Sequence, residues 1–199
     1  MLVVDGATER VLGTKSLTLA AGDLTPRRRE ELDSALGGLT FSALTAEVAR
    51  ARNKPVESLD VRDLSFRAYV DWGSKKQEKD EKGAYIAATD LLNRALVLAP
   101  DDPLALSLTA RVNLCDCVNG WSNNVEEQQA IGAAALEKYL RRDAESPGML
   151  GLKAQLFALR AKYEESLLIA DAILKRDPES SEALAIRAYD LLKLGRPQE

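Results

Sequence analysis

Apolar residues recur three or four places apart along most of this chain, the spacing of one face of an α-helix. The stripes include Leu64 and Ala68; Tyr85, Ala88, Leu92 and Ala95; Leu106 and Ala110; Gly132 and Leu136; Leu150, Ala154 and Phe157; and Leu184, Ala188 and Leu191. From residue 56 onward the pattern predicts helix almost throughout. Before it the texture changes twice. Residues 1–22 place β-branched and apolar residues around the turn dipeptide Asp5-Gly6, which predicts a short β-hairpin with strands roughly over 1–4 and 9–19. Residues 23–55 predict two linking helices. Thr25 is suited to cap the first, with Pro26 at its first position, Leu32, Ala35 and Leu36 as its stripe, and Gly37-Gly38 as its end. The second starts near Thr40, carries Phe41, Leu44 and Val48 on one face, and stops before Lys54-Pro55, because a residue preceding proline avoids the α region.

The helical region also repeats. RALVLAPDDPLAL (94–106), KYLRRDAESPGML (138–150) and AILKRDPESSEAL (172–184) each read as a helix end, an acidic turn and a new helix. With Pro100, Ala144 and Pro178 taken as equivalent, the intervals are 44 and 34 residues, so about ten residues are inserted, around Asn119–Glu127. A second, charged insertion (SKKQEKDEK, 74–82) separates the helices of the first unit.

These residues resemble the tetratricopeptide repeat (TPR) family, whose unit is a helix A–turn–helix B pair. The third unit matches best, with Leu150, Ala154 and Phe157 in helix A and Tyr163, Ser166, Ala170 and Pro178 in helix B. Small residues at a helix crossing let the backbones approach, and larger ones fill the gaps between units. The usual helix-A tryptophan is leucine in all four units. The resemblance implies a mainly α fold: a TPR-type right-handed α-solenoid of about three and a half repeats over 56–199, behind the N-terminal β-hairpin. The fourth unit stops at Leu194-Gly195-Arg196-Pro197-Gln198-Glu199, where a helix B is expected. We therefore expect either a fragment of a longer protein or a final helix A acting as cap.

A second stretch resembles the junction between a TolB-like domain and the TPR array that follows it in bacterial regulators. It is carried by Leu2, Asp5, Thr8, Leu12, Ala46, Glu47, Arg50, Ala51, Asp63, Leu64, Arg67 and Ala68, while Gly13 replaces the family's tryptophan. Residues 1–22 would then be the remnant of a preceding domain. The resemblance implies a parent protein carrying a class III adenylate/guanylate cyclase or a winged-helix domain. Neither has its motifs within these residues.

Composition narrows the chemistry. The chain has 199 residues, 46% hydrophobic and 29% charged, with a net charge of −4, two cysteines and no histidine. The acidic balance argues against nucleic-acid binding. The lack of histidine removes the commonest general base and zinc ligand. Uncharged apolar runs fall short of a membrane span, and no secretory signal opens the chain, so a cytoplasmic location is expected. Cys115 and Cys117 diverge on a helix and read as ordinary helix residues. Arg27-Arg28-Arg29 is followed at once by Glu30-Glu31 and reads as a solvated face. Asp101, Asp102, Asp177 and Glu179 are expected to cap helix starts. No phosphate-binding loop or nucleophile motif appears, and no catalytic residue, metal or cofactor is expected.

What remains is the concave face that the TPR resemblance implies. It would take Ser65, Tyr69 and Trp72 from the first unit, and Ser107, Arg111 and Leu114 from the second. Gln155 and Ala158 would follow from the third, and Ala185 and Tyr189 from the fourth. Tyr69, Trp72, Arg111, Gln155 and Tyr189 are the candidate partner-binding residues, since aromatics and arginine supply most interface energy. For Tyr69 and Trp72 the alternative is packing under the 74–82 insertion. Trp121 is either a docking residue or a plug over its own helix pair. The expected function is non-catalytic: binding a protein or peptide partner, or another copy, with no nucleic acid or membrane engaged. A ligand-sensing or oligomerisation module of a transcriptional regulator is the alternative.

Overall fold

The computed structural model describes residues 2–4, 11–14, 43–75, 80–116 and 124–198, which fall into two compact units, 1–59 and 60–199. The fold is mainly α, as the periodicity predicts. Within the first unit, strand β1 (Leu2–Val4) pairs antiparallel with β2 (Val11–Thr14). Leu2 faces Thr14, Val3 faces Gly13 and Val4 faces Val11, so Leu12 is the extra residue of a bulge. Helix α1 covers residues 43–53 and stops before Lys54-Pro55. A single 3₁₀ turn follows at Val56–Ser58. The predicted helix beginning at Thr25, the Arg27–Arg29 run, Cys117 and Trp121 all lie outside the described residues.

The second unit contains α2 (Val61–Lys75), α3 (Glu81–Leu98), α4 (Pro103–Asp116), α5 (Val125–Leu140), α6 (Pro147–Leu159), α7 (Tyr163–Arg176) and α8 (Ser181–Lys193). Most of the starts have a local physical cause. Asp60 and Asp63 form a reciprocal cap on α2, each carboxylate accepting the other's backbone N–H at 2.8 and 3.3 Å. Asp80 accepts from Gly83 N–H (3.0 Å), Asp102 from Ala105 N–H (2.8 Å) and Asn124 from Glu127 N–H (3.1 Å). Pro103 and Pro147 open α4 and α6 without losing an intrahelical bond.

One sequence expectation needs correction. Of the four acidic turn residues, only Asp102 caps a helix start. Asp177 turns its carboxylate to Glu179 N–H, Asp101 pairs with Lys138 at 3.0 Å, and Ser180 takes the cap position of α8. A cap must be the last non-helical residue, and in the final turn that place belongs to the serine. Val125–Glu127 form the first turn of α5, and residues 74–75 and 81–82 belong to α2 and α3, so parts of both inserted stretches are helical. Helix propensity and the Asp80 and Asn124 caps extend the helices into both charged stretches.

The helices pack as neighbours in sequence, and α2, α4, α6 and α8 also touch in succession, so they form one layer. The core runs through the unit in overlapping groups. Ala68, Ala88, Leu92, Leu108 and Val112 join α2, α3 and α4. Leu106, Leu114, Leu136 and Leu152 lie among those joining α4, α5 and α6. Ala154, Ala170 and Ile186 join α6, α7 and α8. At the end of α6, Lys162 N–H reaches back to Phe157 C=O and Ala161 takes a left-handed φ of 55°. At the end of α8, Arg196 N–H reaches Leu191 C=O and Gly195 has φ 72°. Both are Schellman-type terminations.

Candidate functional site

Helices α4, α6 and α8 turn a common face to a groove of 440 Å³. Leu114 comes from α4, Gln155, Ala158 and Leu159 from α6, and Ala185, Ile186 and Tyr189 from α8. The lining is apolar apart from the Gln155 amide and the Tyr189 hydroxyl. Gln155 Nε2 donates to Glu182 Oε1 at 3.3 Å. The carboxylate can sit there because α6 carries Gly151, where a Cβ would stand 2.9 Å from the Glu182 carboxyl carbon. The Tyr189 ring meets Tyr163 edge-on, with centroids 6.3 Å apart, and Lys193 Nζ lies 5.3 Å from its centroid. These contacts hold the ring while leaving it 48% exposed.

The candidate residues are therefore not all gathered. Gln155 and Tyr189 share the groove with Leu114, Ala158 and Ala185 of the same expected face. Arg111 lies one turn before Leu114, and its guanidinium rests against Gly148 at the start of α6. Tyr69 stands on α2 at 40% exposure and does not line the groove. Trp72 packs on the Ala68–Val112 group of the core, and Ser65 is buried with its hydroxyl donating to Val61 C=O at 2.9 Å. Two lining residues escape the sequence reading, Leu159 and Ile186. Ile186 belongs both to the core and to the groove, a double role that a one-face rule for each helix leaves out.

A buried carboxylate lies on the same helix. Asp190 has no exposed surface, and desolvation raises its pKa above the usual aspartate value. The Ser166 hydroxyl beside it on α7 offsets part of that cost without forming a hydrogen bond of good geometry. The unfolded chain therefore loses this proton at a lower pH than the folded chain. Folding stability from this group is full below the unfolded aspartate pKa and falls as pH rises through the raised folded value. Asp190→Asn is expected to raise the melting temperature at pH 7 and to lose that advantage below about pH 4, near the unfolded aspartate pKa. Thermal melts of both proteins across pH 3–8 check it; equal melting temperatures at pH 7 would contradict it.

Among the described residues no group of three or more cysteine, aspartate or glutamate side chains is placed to hold a metal ion, and no helix is long and apolar enough to cross a membrane. The groove thus offers shape, apolar surface and one amide. Comparison with family models, curated proteins and solved structures finds no match.

Proposed function

We propose that residues 60–199 are a TPR-type right-handed α-solenoid whose even-numbered helices bind an amphipathic helix of a partner protein. Within the described residues, the period supports the repeat. Helices α6 and α8 are each 13 residues long and offset by 34 positions. Their N-caps, Ser146 and Ser180, share that offset, as do the left-handed residues Ala161 and Gly195. The groove carries the functional reading. Apolar side chains spaced by helical turns fit a lining of Leu114, Ala158, Leu159 and Ala185, with Tyr189 as an aromatic anchor and Gln155 as a polar register point. Its volume is within the roughly 300–1,000 Å³ typical of ligand pockets. Lys193, whose Nζ lies 5.3 Å from the Tyr189 ring centroid, favours an acidic position on the partner. The N-terminal resemblance to the TolB-like/TPR junction supports a regulatory setting, in which partner binding is coupled to another domain of a bacterial signalling protein.

The test is selection of a displayed helical peptide library on the wild-type chain, followed by affinity measurement of the enriched peptides. The expected winners carry apolar residues three and four apart and bind Ala185→Arg at least about tenfold more weakly, a change of about 1.4 kcal/mol. Ala185 is exposed, so the substitution fills the groove without entering the core. Enriched peptides that bind Ala185→Arg as tightly as wild type, or no enrichment, would overturn the proposal.

A further inference from the structure

A second pocket lies between α3, α4 and α5, with 210 Å³ of space, and it differs from the groove in chemistry. Tyr85, Leu92 and Ile131 supply its ring and aliphatic walls, while Thr109, Asn113 and Gln128 supply buried polar groups. Two of its groups are fixed. The Tyr85 hydroxyl donates to Asn113 Oδ1 at 3.2 Å, and Asn113 Nδ2 donates to the Thr109 carbonyl at 2.8 Å.

The others are not fixed. Gln128 is 1% exposed and Thr109 is 2% exposed, yet both polar atoms of the Gln128 amide and the Thr109 hydroxyl lack a hydrogen-bond partner among the described residues. Buried polar groups are almost always paired, because leaving them unpaired forfeits their hydration. A core built only for stability would place leucine or methionine at residue 128, on the face that also carries Gly132 and Leu136. The retained amide asks for a hydrogen-bonding partner.

The geometry points to a binding site for a small, uncharged, planar molecule with an amide edge, a carbonyl oxygen beside an N–H. Either orientation of the glutamine amide presents a donor next to an acceptor, and an amide edge answers both with two bonds. The Thr109 hydroxyl adds a third group able to donate or accept. Tyr85, Leu92 and Ile131 suit the faces of a ring. Among the described lining residues the only carboxylate is Glu127, with no cation beside it in the pocket, and it opposes an anionic ligand. The Gln128 amide holds no bond in its resting position, so turning it towards a ligand breaks none. This site is independent of the α4–α6–α8 groove and stands or falls separately from it.

Uracil is the probe, since each of its ring N–H groups stands beside a carbonyl oxygen. Its form methylated at both ring nitrogens, which keeps the ring and loses the N–H donors, is the first control. Orotate, the carboxylated and anionic form, is the second. Titration of the full chain followed by NMR is expected to show saturable shifts of the Gln128 side-chain amide and of Thr109 with uracil. The methylated and anionic forms should bind at least about tenfold more weakly. Gln128→Leu should abolish the response without lowering the melting temperature. If that variant fails to fold, Thr109→Val carries the test, with weakened uracil binding expected. No saturable shift, equal binding of the methylated ring, or unchanged binding in the folded variants would overturn the assignment and leave the polar cluster as a hydrated packing feature.

Discussion

Leu152→Ala is expected to destabilise the protein by about 2–5 kcal/mol, the range for truncating a fully buried leucine. Leu152 sits on α6 with no exposed surface, inside the group that joins α4, α5 and α6. Removing its isobutyl end takes away both its transfer energy and the contacts of the atoms around it. Neighbours from three helices cannot all move in to close the gap, because α4 and α6 are each tied to a second core group. At roughly 2–4 °C per kcal/mol for a chain of this size, the melting temperature should fall by about 4–20 °C. Far-UV circular dichroism in urea and on heating measures it. Leu192→Ala is the matched control: Leu192 is 65% exposed, so its loss should stay within about 0.5 kcal/mol. Similar losses in the two variants would mean that α6 is not the centre of the core described here.

Gly132→Ala should cost about 1–3 kcal/mol, although alanine is the better helix former by about 1 kcal/mol. Gly132 lies in α5 where it crosses α4. A Cβ there would stand 2.8 Å from Leu114 Cγ and 3.0 Å from Asn113 Cβ. Neither atom is the free end of a flexible side chain. Asn113 Cβ is bonded to the α4 backbone, so the helices must separate. Gly151→Ala makes the comparison sharp. Its closest neighbour is the Glu182 carboxyl group at 2.9 Å, which can rotate away. That variant should remain near wild-type stability while losing the Gln155–Glu182 hydrogen bond. Urea unfolding of both variants separates crowding against backbone from crowding against a movable end. A Gly132→Ala protein as stable as wild type would show that the α4–α5 crossing has slack.

The same two glycines show how much of the molecule can be read from residues alone. Gly132 falls on the stripe that continues to Leu136, and a small residue on an apolar face announces a close crossing. Gly151 falls beside its stripe and announces nothing; its use emerges only when α8 brings Glu182 over it. Helix ends behave likewise. Pro103, Pro147 and Asp102 act locally and are legible, whereas Asp101 and Lys138 meet across 37 positions of sequence and are not.

The candidate groove divides along the same line. The TPR resemblance placed Leu114, Gln155, Ala158, Ala185 and Tyr189 on one face, and these five line the groove. It also placed Trp72 on such a face, but that side chain packs into the core between α2, α3 and α4. Periodicity states which residues share a side of one helix. It carries no information on how deep the neighbouring helix sits. Gln128 and Asp190 follow from that limit, since each reads as an ordinary polar residue until neighbouring helices close over it.

By itself, the sequence determined the mainly α class, the turns that end one helix and begin the next, and the 34-residue spacing of the last units, because these depend on residues within a few turns of one another. The tertiary structure decided which faces meet, which small residues are crossings, and which polar groups lose water, because burial is set by distant segments arriving at one place.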